Sequence, residues 1–304
     1  MSLYRDLRSA AHNAGGGGAT RTARDVTARN FKQWAKENNV QIQSLDKLKT
    51  KQISEYGRHL AEKVAQGDLS IRTAQNRMSH IRSMLKEAGR WQVADNDRIS
   101  NAAVGLAGAN RDGKHRAIRE DEYQAALKSA LARDRGVAAV MALQRYAGLR
   151  DLEAIKGGRK DTFDRWEREL KIYGKIHVIE GTKGNHPRWS EIPDPDRFRE
   201  ALAEAKQVLK ETGERYVLTG EGGTLESAYD KYGNETRAAG LRGEISPHSL
   251  RYAYTRDVTE KAVSEGNSRR EALIRASHSL GHGDGRGRYV AQVYLKGGTS
   301  ENGK

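Results

Sequence analysis

Between Val26 and Leu85 apolar residues recur at intervals of three to five: Val26, Phe31 and Trp34, then Ile53, Tyr56, Leu60 and Val64, then Ile71, Ala74, Met78, Ile81 and Leu85. That spacing gathers each set on one side of a helix with 3.6 residues per turn, so each stripe must be buried against another. The pattern predicts a bundle of three or four helices over residues 20–105. Residues 1–19, with the run Gly15 to Gly18 among Ala, Asn and Thr, offer few side chains to bury and are expected to be a flexible N-terminal segment.

A chain of 304 residues is long enough for a second compact unit. Residues 106–116 carry glycines and cations without periodicity and read as a linker. Beyond them, Arg119 to Leu131 and Gly136 to Leu149 read as helices, and Trp166 to Ile179 is richer in β-formers. Gly181-Thr182-Lys183-Gly184-Asn185 is a turn before Trp189, Glu191 and Ile192, which predicts a hairpin or small antiparallel sheet. Helical patterns return after Pro193, again from 225 to 239, and from 247 onward. The expected fold is mostly α with a small antiparallel β-sheet: an N-terminal helical bundle, then a mixed α/β domain over 117–296, then a tail over 297–304.

The formal charge is +14 and the pI about 9.8. Such a balance favours a polyanionic partner, because each cation set against a phosphate releases a condensed counterion. Nucleic acid fits this. A membrane surface competes, yet the chain has no long apolar run, no lipidation signal and a polar rather than signal-like start. Zero cysteines exclude disulfides, thiolate metal sites and cysteine nucleophiles, and suit a reducing cytoplasm. Arg72, Arg77, Arg82 and Lys86 fall among the apolar positions of the last bundle helix and give it a basic face, a candidate DNA contact or an ordinary solvated face.

Several short motifs could carry chemistry. In Ser246-Pro247-His248-Ser249-Leu250-Arg251, serine suits a helix N-cap and proline the first helical position, so His248 and Arg251 share one face near a helix start that already favours an anion. In Gly148-Leu149-Arg150-Asp151-Leu152-Glu153, Glu153 is one turn from Arg150 and able to hold its guanidinium. Lys183 sits in the predicted turn, where it could donate a proton or simply be solvated. Leu280-Gly281-His282 is followed by Tyr289 and Tyr294. His278 and His282 are four apart with Asp284 beyond, a metal-ligand spacing, although Gly281 interrupts the helix and no glutamate stands between them as in a zinc-protease motif.

The order Arg150, Lys183, His248 with Arg251, His282, then a late tyrosine resembles the tyrosine recombinase, or phage integrase, family. The likeness covers residues 116 to 296 at motif level, and the preceding bundle is similar in kind to that family's core-binding domain. It implies that Arg150 and Arg251 clamp the non-bridging oxygens of a scissile DNA phosphate, and that Lys183 protonates the departing 5′ oxygen. His248 would accept the tyrosine proton, and His282 would donate a hydrogen bond to the phosphate. It further implies a 3′-phosphotyrosine intermediate and a site-specific recombinase or integrase of the prokaryotic cytoplasm, bound to the nucleoid when on DNA, that requires no cofactor and no metal. The partner it implies is double-stranded DNA, which would be held in a C-shaped clamp. Assembly would give a homotetramer on DNA from monomers or weak oligomers, with accessory DNA-bending proteins as possible companions.

Tyr294, twelve residues after His282, is the expected nucleophile rather than Tyr289 at seven, since glycines between 283 and 287 can absorb an insertion. Only ten residues follow Tyr294, short for the extra helix that many relatives dock into a neighbouring subunit. The alternatives left open are a non-catalytic DNA-binding relative, a type IB topoisomerase-like enzyme, and a metal-dependent hydrolase built on His278, His282 and Asp284.

Overall fold

A computed structural model describes residues 3–109, 115–283 and 286–295. The expected tail over 297–304, part of the expected linker (110–114) and Asp284 lie outside the described residues. The chain divides into two compact units, one ending at residue 110 and one starting at 111.

The first unit is helical: α1 Leu3–Asn13, α2 Gly18–Glu37, α3 Thr50–Ala65, α4 Ile71–Glu87 and the single turn α5 Trp91–Ala94. The three expected stripes form its core except for Val26, which is 40% exposed, with Val64 and Ile71 partly buried at its edge and Phe31 edge-on to Tyr56 at 4.9 Å between ring centroids. Each large apolar side chain so buried contributes roughly 1.5–3 kcal/mol. Helix α1 corrects the expectation for residues 1–19. Leu3, Leu7, Ala10 and Ala11 share a face and are buried in the same core, while the Arg24 guanidinium donates to the Gly15 carbonyl at 2.6 Å. Four apolar residues on one face suffice to dock α1 despite the glycine run that follows it. Leu106, placed in the linker by composition, is also buried in this core.

The second unit is arranged around α7 (Arg135–Ala147), in which every residue from Gly136 to Ala147 is buried. Such a helix must be covered on all sides, with its buried polar side chains paired, Gln144 with Asp151 and Arg145 with Asp257. Around it pack α6 (Glu120–Arg133), α8 (Asp151–Gly157), α10 (Pro195–Thr212), α11 (Leu225–Ala238) and α12 (Pro247–Ser264). Helix α9 (Lys160–Tyr173) replaces the strand expected from Trp166 onward, because Phe163, Trp166 and Leu170 recur at helical spacing and are buried together. The strands are β1 Lys175–Val178 and β2 Arg188–Glu191, antiparallel, with Val178 opposite Arg188 and Ile176 opposite Ser190. These four are buried, so the inner face of the hairpin carries an arginine and a serine. Helices α13 (Arg269–Ser279) and α14 (Gly287–Val290) and one π-helical turn, Ala291–Leu295, complete the unit. Among the described residues no helix is long and apolar enough to cross a membrane.

Candidate active site

Helix α7 stops at Gly148, which adopts φ +62°. A Cβ there would lie 2.3 Å from the Tyr254 ring, so only glycine permits this approach. The reversal places Arg150 at the N-cap of α8, where the Glu153 carboxylate accepts from the Arg150 backbone N–H at 2.7 Å and from its Nη1 at 2.6 Å. The sequence anticipated this pair. It did not anticipate Arg188, which reaches in from β2 and grips the same carboxylate with two bonds of 2.6 and 2.7 Å. Arg188 also donates from Nε to the Ser279 carbonyl at 2.8 Å and from Nη2 to the Gly148 carbonyl at 3.3 Å. Along β2, Trp189 is 39% exposed, whereas Arg188 is buried because Glu153 neutralises it.

Arg251 comes from the first turn of α12, whose N-cap is Ser246 with Pro247 at the first helical position. It is fully buried. Its two terminal nitrogens donate to the Gly148 and Leu280 carbonyls, and Nη1 stands 3.9 Å from Glu153. Arg150 Nη2 shares the Leu280 carbonyl at 3.2 Å. Arg251 therefore enters from behind the cleft, held by main-chain oxygens. Three guanidiniums converge on one buried carboxylate. Burial would raise the Glu153 pKa, but Arg188, then Arg251 and Arg150, hold it down at about 2. Burial and the neighbouring Arg188 lower Arg251 to about 10. The cluster carries more positive charge than its own carboxylate can balance, in surroundings that screen it poorly.

In front of it lies a cleft of about 840 Å³ lined by Arg150, Lys183, His186, Arg188, His278, His282, Arg286, Tyr289 and Tyr294, with three glycines and Pro187. Lys183 is exposed in the β1–β2 connection. His282 follows α13, and its Nε2 is 3.0 Å from the Tyr294 hydroxyl. The Tyr294 ring is only 4% exposed, packed on Tyr252 at 4.6 Å and on His248 at 5.8 Å between centroids. The resemblance gives the phenol's proton to His248. His282 is the histidine bonded to the phenol, while His248, at the second position of α12, presents its ring to the tyrosine. Tyr289 also reaches the cleft, 38% exposed and edge-on to His282 at 5.3 Å.

Burial, together with Arg251 and Arg150, lowers His248 to about 4 and His282 to about 3. Both rings are therefore neutral near pH 7, each with one N–H donor and one acceptor nitrogen. Of the residues in the metal alternative, His278 and His282 both line the cleft and Asp284 lies outside the described residues; among the described residues no group of three metal-ligating side chains occurs.

The four cations on α4 are not equivalent. Arg82 donates to the Ile99 carbonyl at 3.2 Å and to Asn101 Oδ1 at 3.4 Å, and Lys86 pairs with Asp95 and lies over the Trp91 ring. Arg77 lies beside the Tyr56 phenol, and Arg72 is exposed.

Residues 105–257 match the family model for the integrase domain, and residues 1–94 match that for the phage integrase N-terminal domain. The chain belongs to the tyrosine recombinase, or phage integrase, family. Solved structures of this fold include a λ integrase tetramer bound to a Holliday junction, 15% identical over 94% of this chain and 76% of that one, with a TM-score of 0.60. A λ integrase fragment, a dimer on a core site, is 17% identical over 100% and 99% of the two chains, with a TM-score of 0.59. The Tn1549 transposon integrase in complex with transposon right end DNA is 14% identical over 96% and 94%, with a TM-score of 0.57. No curated protein matches the chain in sequence. At these identities the recombinase likeness in structure is one of fold, and the roles of individual side chains rest on the geometry above.

Proposed function

We propose that this recombinase-family chain cleaves and rejoins DNA strands through a 3′-phosphotyrosine intermediate, with Tyr294 as nucleophile. The observation that carries the reading is the unbalanced arginine cluster beside a phenol already hydrogen-bonded to a neutral histidine. A phosphodiester in the cleft supplies the missing negative charge. As the Tyr294 oxygen attacks phosphorus, its proton passes to His282 Nε2, and the bond from phosphorus to the 5′ oxygen breaks. Lys183 gives that oxygen a proton, because an alkoxide is a poor leaving group. Arg150 and Arg251 stabilise the charge that gathers on the non-bridging oxygens, Arg251 by exchanging a carbonyl partner for a phosphate oxygen. A 5′ hydroxyl from another strand then attacks the phosphotyrosine, restoring the phenol and the DNA backbone.

Exchange between two duplexes involves four strands, so the working assembly is a tetramer on DNA, as in the λ integrase structure on a Holliday junction. None of the steps calls on a metal ion, so chelator leaves the rate unchanged. The test is trapping on nicked duplex DNA. Tyr294→Phe is expected to abolish the covalent protein–DNA adduct while keeping salt-sensitive binding; an undiminished adduct would transfer the nucleophile's role to Tyr289. Exchange of strands between two duplexes, rather than relaxation of a supercoiled one, separates a recombinase from a topoisomerase.

A further inference from the structure

The loop that carries Lys183 is fastened to α8 on both sides. Before it, Gly181 adopts φ +71°, and a Cβ there would sit 2.5 Å from the Leu152 carbonyl oxygen, so glycine lets the backbone close onto the first turn of α8. After it, Arg188 closes the bidentate pair with Glu153, three residues past Arg150. Between the two fastenings, Lys183, Gly184, Asn185, His186 and Pro187 are all exposed. Arg188 has little left to offer a substrate. Its Nε and one Nη2 hydrogen go to main-chain carbonyls, and two more hydrogens go to Glu153.

We propose that Arg188 is a positioning residue for Lys183: its pair with Glu153, with Gly181 seated on Leu152, keeps the lysine loop in register with Arg150, so that proton donor and phosphate clamp meet the same linkage. This rests on the strand-cleavage reading, since a proton donor has a task only if a 5′ oxygen departs. The structural alternative is that Arg188 merely neutralises Glu153.

Replacing the bridging 5′ oxygen by sulfur separates the two. A thiolate is a far better leaving group than an alkoxide and departs without a proton. The probe is a nicked duplex recovered by covalent capture from a randomised pool, synthesised with oxygen or sulfur at the cleaved linkage. On oxygen, Arg188→Lys should slow adduct formation by about 100-fold, in the range that general acids contribute. On sulfur it should approach the rate of the unaltered protein, as Lys183→Ala does, whereas Arg150→Ala stays slow on both. Gly181→Ala, which lifts the loop off α8 without changing a charge, should behave like Arg188→Lys and decides the matter if the arginine variant fails to fold. Equal slowing on oxygen and sulfur, or no slowing on either, overturns the positioning role alone. Failure to capture any Tyr294-dependent adduct with the unaltered protein overturns the strand-cleavage reading, and the inference with it.

Discussion

Helix α4 and the cluster around Glu153 both gather cations, and they dispose of them in opposite ways. On α4, Arg82 and Lys86 are half-buried and already bonded to Ile99, Asn101 and Asp95. Around Glu153, three guanidiniums share one carboxylate and turn to main-chain carbonyls for the rest of their hydrogen bonds. A carbonyl satisfies a donor without cancelling its charge. Affinity for a phosphate therefore depends less on how many cations a surface displays than on how much of their charge is left unmatched where water cannot screen it.

The contrast breaks most directly at Glu153. Glu153→Gln keeps the shape but leaves three arginines without a counter-charge, and it should cost about 3–5 kcal/mol of stability in urea unfolding, the usual consequence of breaking a buried pair on one side. A loss below about 1 kcal/mol would mean that the carbonyls alone suffice, and the cluster would then be no different in kind from α4.

A smaller effect follows from the histidines beside the cluster. Both have folded pKa values, about 4 for His248 and about 3 for His282, below the ordinary value near 6.5. Between those values the unfolded chain binds protons that the folded one refuses, so their contribution to stability is complete above about pH 6.5 and is lost as pH falls toward 4 and 3. Denaturant unfolding at about pH 7 and about pH 4.5 should show the decline, and the double variant His248→Gln, His282→Gln should flatten it. An unchanged pH profile in that variant would place the sensitivity elsewhere.

The smallest effects are expected on α4, where they sharpen the comparison. Arg72→Ala, at the exposed start of α4, should weaken DNA binding modestly, lowering the slope of log affinity against log salt by about 1. Arg82→Ala should leave that slope unchanged, because its guanidinium is tied to Ile99 and Asn101. If Arg82→Ala lowers the slope as much as Arg72→Ala does, its ties to Ile99 and Asn101 do not matter and the distinction between the two regions fails.

Motif order made the candidate site largely legible. Arg150 with Glu153 and the Ser246-Pro247 helix start that presents His248 and Arg251 could be read from neighbours a few residues apart, where helix geometry fixes relative placement, whereas Tyr294, twelve residues beyond His282, was singled out by the family resemblance. Arg188 could not be read that way. Its burial depends on a carboxylate thirty-five residues away, and nothing local in Arg188-Trp189-Ser190 announces it. The same limit applies to the histidines: which of them bonds the phenol depends on where the last turn of the chain lies, and that turn brings Tyr294 to His282. Helices α1 and α9 were missed for a different reason. A glycine run and a patch of β-formers outweighed apolar spacings that were present all along.

The sequence by itself determined that this chain builds a helical bundle followed by a family-specific set of cations, histidines and a tyrosine, because amphipathic period and short-range motif spacing are local properties. Only the tertiary structure decided which cations are matched and which are not. Charge compensation is settled by groups brought together from α8, β2, α12 and the end of α13, and that meeting exists only once the chain has folded.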